Sequence, residues 1–588
     1  MCFPGHLLTT RQRIHGPRFL RFCYGIALLT LIASCATAPS GSRTPERATD
    51  TTDTKPLPVE GEALDYPLIN HIAELARTDS LLVARHQRNL ALTEGAAAST
   101  LVAVDSRLAW FAGDTLLTQE LLRALEAENS AAAEFVLHER EYQAALAADW
   151  LGAAQAVFAL AQIAETKAEQ SALGERLFGH LIHLTDASLR DQLRVNSDPD
   201  WRSWLEMQVA YRSGNRALEQ WRERANNIPR YPTPPRHLLV WLETPAPEKI
   251  VLLLPLQGPL GTAGEAVMAG AIEGLYSQYP DPASRPQLMA LDAARSANAD
   301  MAYEDALAAG AELVIGPLTK SQVAEVAARR RFPVPTIVLN QTDNAPTKMP
   351  ETWTSLSLAP EDEAKQIADL AFGRACRNAI VIASGSERGI RLSDAFESRW
   401  QLHGGTVRGK LVVEAPEATN EAMGKLLGSG SSDARIRSVE QAFDVPVDAR
   451  GRGRSDFECI FMLAPDPDTA RTWRPLLVFH MSGNAMVFAT SAINDGITDT
   501  RNRDLNEVIF AEIPAMLPPY SPDRLSRLRA LGSDAVTLAQ HWRQSAMTEQ
   551  WFVRGKTGVL RRKENGAIER ALEMATFDGG VLRRYQIP

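Results

Sequence analysis

The sequence predicts an all-α part built of helix pairs, followed by an α/β part with two lobes and parallel sheets. Three observations predict it. Residues 59–228 are rich in Ala, Leu, Glu and Arg, nearly free of proline, and apolar at helical spacing. Residues 229–248 then gather Pro229, Pro232, Pro234, Pro235, Pro245 and Pro247. From Lys249 onward, short continuous apolar runs alternate with helical stretches, which is the pattern of βαβ units.

The first residues carry Arg11, Arg13, Arg18 and Arg21 ahead of any acid, and an apolar run from Phe22 to Ala33 follows. That run is shorter than the roughly 20 residues a spanning helix needs and fits the core of a signal peptide. It ends in Leu31-Ile32-Ala33-Ser34-Cys35, an aliphatic residue, small residues and a cysteine, which is the order of a bacterial lipobox. Residues 1–34 are therefore expected to be a lipoprotein signal peptide and Cys35 the lipid-modified first residue of the mature chain. Ala36, rather than Asp, in the next place points to the outer membrane. Residues 35–58 hold Thr, Ser, Pro and charge with almost nothing apolar, so they are expected to be a disordered tether.

Within 59–228, Leu68, Ile69, Ile72, Leu75 and Ala76 mark one helix face, and breaks are expected near Gly95, Gly113, Asn129, Gly152, Gly174, Ser197 and Gly214. Glu141–Leu146 with Trp150–Ala154, and Gln208–Asn215 with Ala217–Trp221, loosely resemble tetratricopeptide halves. The region reads as a stack of helix pairs, with a closed helical bundle as the alternative. The proline-rich 229–248 is expected to link two units that fold by themselves.

In 249–588, Ile250–Leu254, Ala311–Ile315, Val334–Leu339, Asn378–Ser384, Phe457–Ala464 and Ala485–Ala489 are expected strands of sheets covered on both faces. Two sets of such units imply two lobes with a cleft between them. Gln257, Thr319 and Asn340 follow lobe strands, where open α/β folds place binding groups, and are the candidate cleft residues. Residues 428–455, rich in Gly and Ser, read as a flexible loop. Arg450, Arg452 and Arg454 within it are candidate contacts for an acidic partner.

Several functions lack their signatures. A net charge of −9 argues against a general nucleic-acid binder. The glycines of Gly258–Gly264 lack dinucleotide and P-loop spacing. There is no GxSxG, SxxK or HExxH, and the 11 histidines show no ligand spacing, so no catalytic residue, metal or cofactor is assigned beyond the lipid on Cys35. Of the five cysteines, Cys376 and Cys459 remain in the folded part, either paired or separately buried.

Ile250-Val251-Leu252-Leu253-Leu254-Pro255-Leu256-Gln257-Gly258-Pro259-Leu260, Val314–Leu318, Val334–Asn340, Arg454–Ala464, Phe488–Ile493 and Arg503–Val508 occur in order behind the helical part and the lipobox. Together they resemble the LpoA family, outer-membrane lipoprotein activators of penicillin-binding proteins. The resemblance implies a tetratricopeptide-like domain joined to a fold like that of type I periplasmic solute-binding proteins. It also implies a non-enzymatic regulator that reaches through peptidoglycan to a class A synthase in the inner membrane. The length of the helical part suits such reach, at about 1.5 Å per helical residue. The alternative is a ligand-binding lipoprotein that serves a transporter or sensor.

Mass spectrometry of the mature N-terminus should find diacylglyceryl-modified Cys35. The Cys35→Ala protein should stay an unlipidated precursor, and an unmodified terminus elsewhere would refute the lipobox.

Overall fold

The computed structural model describes residues 63–585, apart from 129–131, 227, 229–231, 330, 343–348, 445, 447, 449–451, 481–484 and 548–550. Cys35, the tether 35–58 and Arg450 lie outside the described residues.

The helical part comprises α1 (Tyr66–Thr78), α2 (Leu81–Thr93), α3 (Ala98–Ala112), α4 (Thr115–Glu128) and α5 (Ala133–Leu146). It continues through α6 (Trp150–Ile163), α7 (Lys167–Leu181), α8 (Asp186–Val195), α9 (Pro199–Arg212) and α10 (Asn215–Ala225). Side-chain oxygens of Asp65, Ser80, Asp149, Thr166, Thr185 and Asp198 accept backbone amides of the first turns, so local sequence sets where these helices start. Gly113 and Gly214 sit at φ 80° and 99° in turns, as their spacing suggested. Gly152 and Gly174 do not break the chain but lie inside α6 and α7. Gly152 leaves room for the capping carboxylate of Asp149, and Gly174 for the ring of Trp204.

The expected linker contains an eleventh helix, α11 (Arg236–Glu243). Its Trp241 packs edge-on to Tyr211, with ring centroids 5.5 Å apart.

Lobe 1 follows with β1 (Lys249–Leu254), α12 (Gly261–Gln278), β2 (Gln287–Asp292), α13 (Ala299–Ala308), β3 (Leu313–Ile315), α14 (Lys320–Ala327), β4 (Thr336–Val338) and β5 (Trp353–Ser355). Its sheet has the order β2-β1-β3-β4-β5, and every described pairing is parallel. Lobe 2 begins with α15 (Pro360–Gly373), β6 (Asn378–Ser384), α16 (Glu387–Leu402), β7 (Thr406–Val413) and α17 (Thr419–Leu427). It continues with α18 (Ser429–Phe443), β8 (Cys459–Leu463), α19 (Pro467–Phe479), β9 (Met486–Ala489) and β10 (Ile509–Glu512).

The chain then returns to lobe 1 as α20 (Ser526–Met547) and forms the small antiparallel sheet β11 (Phe552–Arg554), β12 (Val559–Arg562) and β13 (Ile568–Ala571). It ends in lobe 2 as the hairpin β14 (Glu573–Asp578) and β15 (Val581–Arg584), antiparallel at the edge of a seven-stranded sheet ordered β15-β14-β10-β9-β8-β6-β7. Gly579 and Gly580, at φ 59° and 82°, make the tight turn of that hairpin.

Two sequence readings change. The expected flexible loop 428–455 begins with the helix α18. Gly428, at φ 73°, ends α17, and the next helix starts at once, so the Gly/Ser cluster is a joint rather than a loop. Cys376 and Cys459, left open between pairing and separate burial, form a disulfide with Cα atoms 6.2 Å apart. Closing a separation of 83 residues contributes about 4–5 kcal/mol in the chain-entropy account.

The helical and α/β parts share their interior. One buried cluster runs from Val157, Leu177 and Trp201 through Trp241 to Leu252 of β1, Leu531 of α20 and Leu560 of β12. A second joins Trp110 and Leu146 to Phe372 and Phe461 of lobe 2. Arginines fasten the same joint. The guanidinium of Arg377 donates to carbonyls of Trp110 and Phe111 at the end of α3, and to those of Phe372 and Cys376 at the end of α15. Its centre stands 3.7 Å from the Phe372 ring centroid. Arg212 and Arg554 converge in the same way on carbonyls of Ile182 and Leu184 beyond α7. A cation at a helix C-terminus faces its negative dipole end. Burial pushes the pKa of Arg377 down to about 10, which still leaves it charged at neutral pH.

Helices α12 and α20 approach at backbone distance. A Cβ on Gly270 would lie 1.9 Å from the Arg529 carbonyl oxygen, and one on Gly532 1.9 Å from that of Val267. Gly270→Val should therefore force the helices apart and cost about 1–3 kcal/mol, the usual penalty of overpacking, in chemical denaturation. With a shared interior the parent should melt in one transition and not the two implied by a simple linker. Two separable transitions, or an unchanged Gly270→Val, would contradict this packing.

Candidate functional site

Strands β1, β3 and β4 run parallel, the segments after β3 and β4 line the cleft between the lobes, and Gln257, Thr319 and Asn340 follow the three strands in turn. Only Asn340 lines the cleft cavity of about 530 Å³, together with Gln341, Leu358, Glu361, Asp362 and Arg391. Its side chain is engaged locally: Nδ2 donates to the Leu318 carbonyl at 3.1 Å, and Oδ1 accepts the Gln341 amide at 3.0 Å. Thr319 caps α14 by accepting the Gln322 amide at 3.3 Å and is hydrogen-bonded to the Gln322 side chain at 3.0 Å. Gln257 is exposed. The three are not brought together on one ligand-sized volume.

The charges facing this cleft are paired with one another. Arg391 meets Glu361 at 2.9 Å, and Lys365 lies 3.5 Å from Asp362. A zwitterionic solute would have to displace these pairs.

Below the cleft, where the chain passes between the lobes, lies a buried polar cluster that sequence reasoning missed. Glu363 of α15 accepts the Ser491 amide at 2.8 Å and its hydroxyl at 2.9 Å. Burial pushes the Glu363 carboxyl above its ordinary pKa. Glu512, at the end of β10, accepts from Asn494 at 2.8 Å and from its own neighbour's amide, Ile513, at 2.8 Å. Arg527, near the start of α20, reaches Glu512 and the Asn494 carbonyl, the latter at 2.8 Å. Asp534 of α20 accepts the amides of Lys556 and Thr557 at 2.6 and 2.7 Å, which fixes the turn before β12. Arg570 of β13 is 1% exposed and close enough to Glu363 to be influenced by its charge.

These groups come from six separate stretches of chain. Their hydrogen bonds tie the lobes at the hinge, while Nε and Nη1 of Arg570 and Nε of Arg527 are buried without a partner among the described residues, beside a cavity lined by Glu363, Ser491 and Asn494. No group of His, Cys, Asp and Glu arranged to hold a metal occurs among the described residues.

Of the other sequence candidates, Arg454 has side-chain partners inside the chain and Arg452 a main-chain one. Arg454 pairs with Asp456 at 2.9 and 2.8 Å and donates to carbonyls of Leu426 and Arg408 at 3.2 and 3.0 Å. The amide of Arg452 donates to Ser432 of α18 at 2.9 Å.

A family model, the LppC lipoprotein, matches residues 118–580, running from the helical part through both lobes. Among curated proteins, the chain is 23% identical over 438 residues to the penicillin-binding protein activator LpoA of Photobacterium profundum, covering 70% of each. It is 22% identical over 444 residues to the activator of the same name from Vibrio cholerae, covering 69% of this chain and 71% of that one. A solved full-length LpoA from Haemophilus influenzae is 19% identical, with a TM-score of 0.45, covering 89% of this chain and 98% of that one. The match extends across the joint between helices and lobes, and the chain belongs to the LppC lipoprotein family.

Proposed function

We propose that this protein binds and stimulates a class A penicillin-binding protein, a bifunctional peptidoglycan synthase, and performs no turnover of its own. The observation that carries the reading is the reach of the family match, which takes in the helical part and both lobes together. A solute receptor needs only the lobes. The relatives, matched over 70% and 71% of their own length, are named as activators.

In this reading Cys35 carries the lipid and anchors the protein to the outer membrane on its periplasmic side. The segment 35–58 spaces the folded part from the membrane and lets it pass through peptidoglycan. The synthase contact lies on the α/β part, which the chain places farthest from the lipid. The shared interior makes the complete folded part the unit to assay, rather than an isolated lobe domain.

Lipid-free protein starting at Ala36 should raise glycan polymerisation or crosslinking by the purified class A synthase of the same organism several-fold. The readout is product formed from the lipid-linked disaccharide–peptide precursor. No stimulation at saturating protein would overturn the assignment.

A further inference from the structure

Next to the cleft, on the other side of Asp362 and Lys365, a recess of about 750 Å³ opens where three pieces of the molecule meet. The α5–α6 turn supplies Ala148 and Trp150, α16 supplies Ala395 and Leu402, and the small sheet supplies Phe552 and Ala571. The volume is that of a site able to enclose a ligand or several side chains. Its lip is apolar and uncovered: Leu402, at the end of α16, is 51% exposed.

The wall is rigid. The Trp150 ring stacks on His183, with centroids 4.0 Å apart and planes 14° from parallel. Burial lowers the pKa of His183 to about 3, so this stack stays uncharged throughout the physiological range.

Around the apolar floor run ion pairs of both signs. Arg561 and Lys563 meet Glu569 at 2.8 and 3.2 Å, and Arg399 meets Asp369. Arg561 and Glu569 are 48% and 38% exposed, and solvent-facing pairs of this kind hold each other weakly, by about 0–1 kcal/mol. They can exchange partners with charges brought by another chain. The balanced signs give no preference for a purely anionic surface such as a lipid headgroup layer. The apolar lining offers burial to side chains brought by another chain.

We propose that this recess is the docking site for a segment of the synthase in which apolar side chains lie between charged residues of both signs. The proposal rests on the activator reading and extends the contact from the α/β part onto the α5–α6 turn. Because three parts of the chain build the recess, only the correctly assembled molecule presents it.

The test uses the full soluble chain and the synthase. Leu402→Asp changes an exposed side chain and should leave melting unchanged while raising the concentration for half-maximal stimulation at least tenfold. Ala395→Trp, which fills the recess, should do the same, and Arg561→Glu with Lys563→Glu should weaken stimulation several-fold. A photo-crosslinking residue at position 402 should capture the synthase. Folded Leu402→Asp and Ala395→Trp proteins that stimulate like the parent would overturn the docking site and leave the activator reading intact. A parent that fails to stimulate would overturn both.

Discussion

The close approach of α20 to α12 is the constraint on which the rest of the molecule depends. Gly270 and Gly274 on one helix and Gly532 on the other remove the side chains that would separate them, so backbone meets backbone. From this fixed position, successive parts of α20 reach different regions. Arg527 at its start reaches the strand ends of lobe 2, and Asp534 in its middle holds the turn of the small sheet. His541 near its end lies 4.7 Å, ring to ring, from Trp241 of α11. A shift of α20 would therefore disturb lobe 1, lobe 2 and the helical part at once.

The arginines at helix ends complete that constraint from the other side. Arg377 binds α3 to α15, and Arg212 and Arg554 bind the turn after α7 to α9 and β11. Guanidinium suits this work because its several donors can serve several carbonyls in one plane and it keeps its charge when buried. The helical part thus grips lobe 2 near Trp110 and the hinge region near Ile182. Together with the buried cluster of Glu363, Glu512, Arg527 and Asp534, these contacts make the two lobes and the helices one body. Such a body is suited to presenting a surface.

Much of this was legible in the sequence, and the remainder was hidden for identifiable reasons. Strands β1, β6 and β8 are buried on both faces and spell continuous apolar runs, so they were found within a residue or two. β2 and β7 stand at sheet edges, half exposed, and lack that run. β12, β13 and β15 read VLRR, IERA and VLRR, since their arginines serve ion pairs or interior carbonyls, and no hydrophobic pattern marks them. The proline cluster lies where helices give way to alternating strands and helices, and α11 inside it is part of the core. Of the cleft residues named from strand ends, Asn340 lines the cleft cavity, and Gln257 and Thr319 do not. The hinge chemistry was not readable, because Glu363, Glu512, Arg527, Asp534 and Arg570 are far apart in the chain and carry no spacing signal.

The central claim is that the lobes are held fixed, and double electron–electron resonance tests it most directly. Spin labels on cysteines replacing Glu265 of α12 and Glu387 of α16 would report the distance across the cleft. Both positions are exposed and belong to helices that begin beside it, and the native disulfide stays intact. The account predicts one narrow distance that does not move when amino acids or the synthase are added. A second population, or a shift of several ångströms with a small solute, would contradict it.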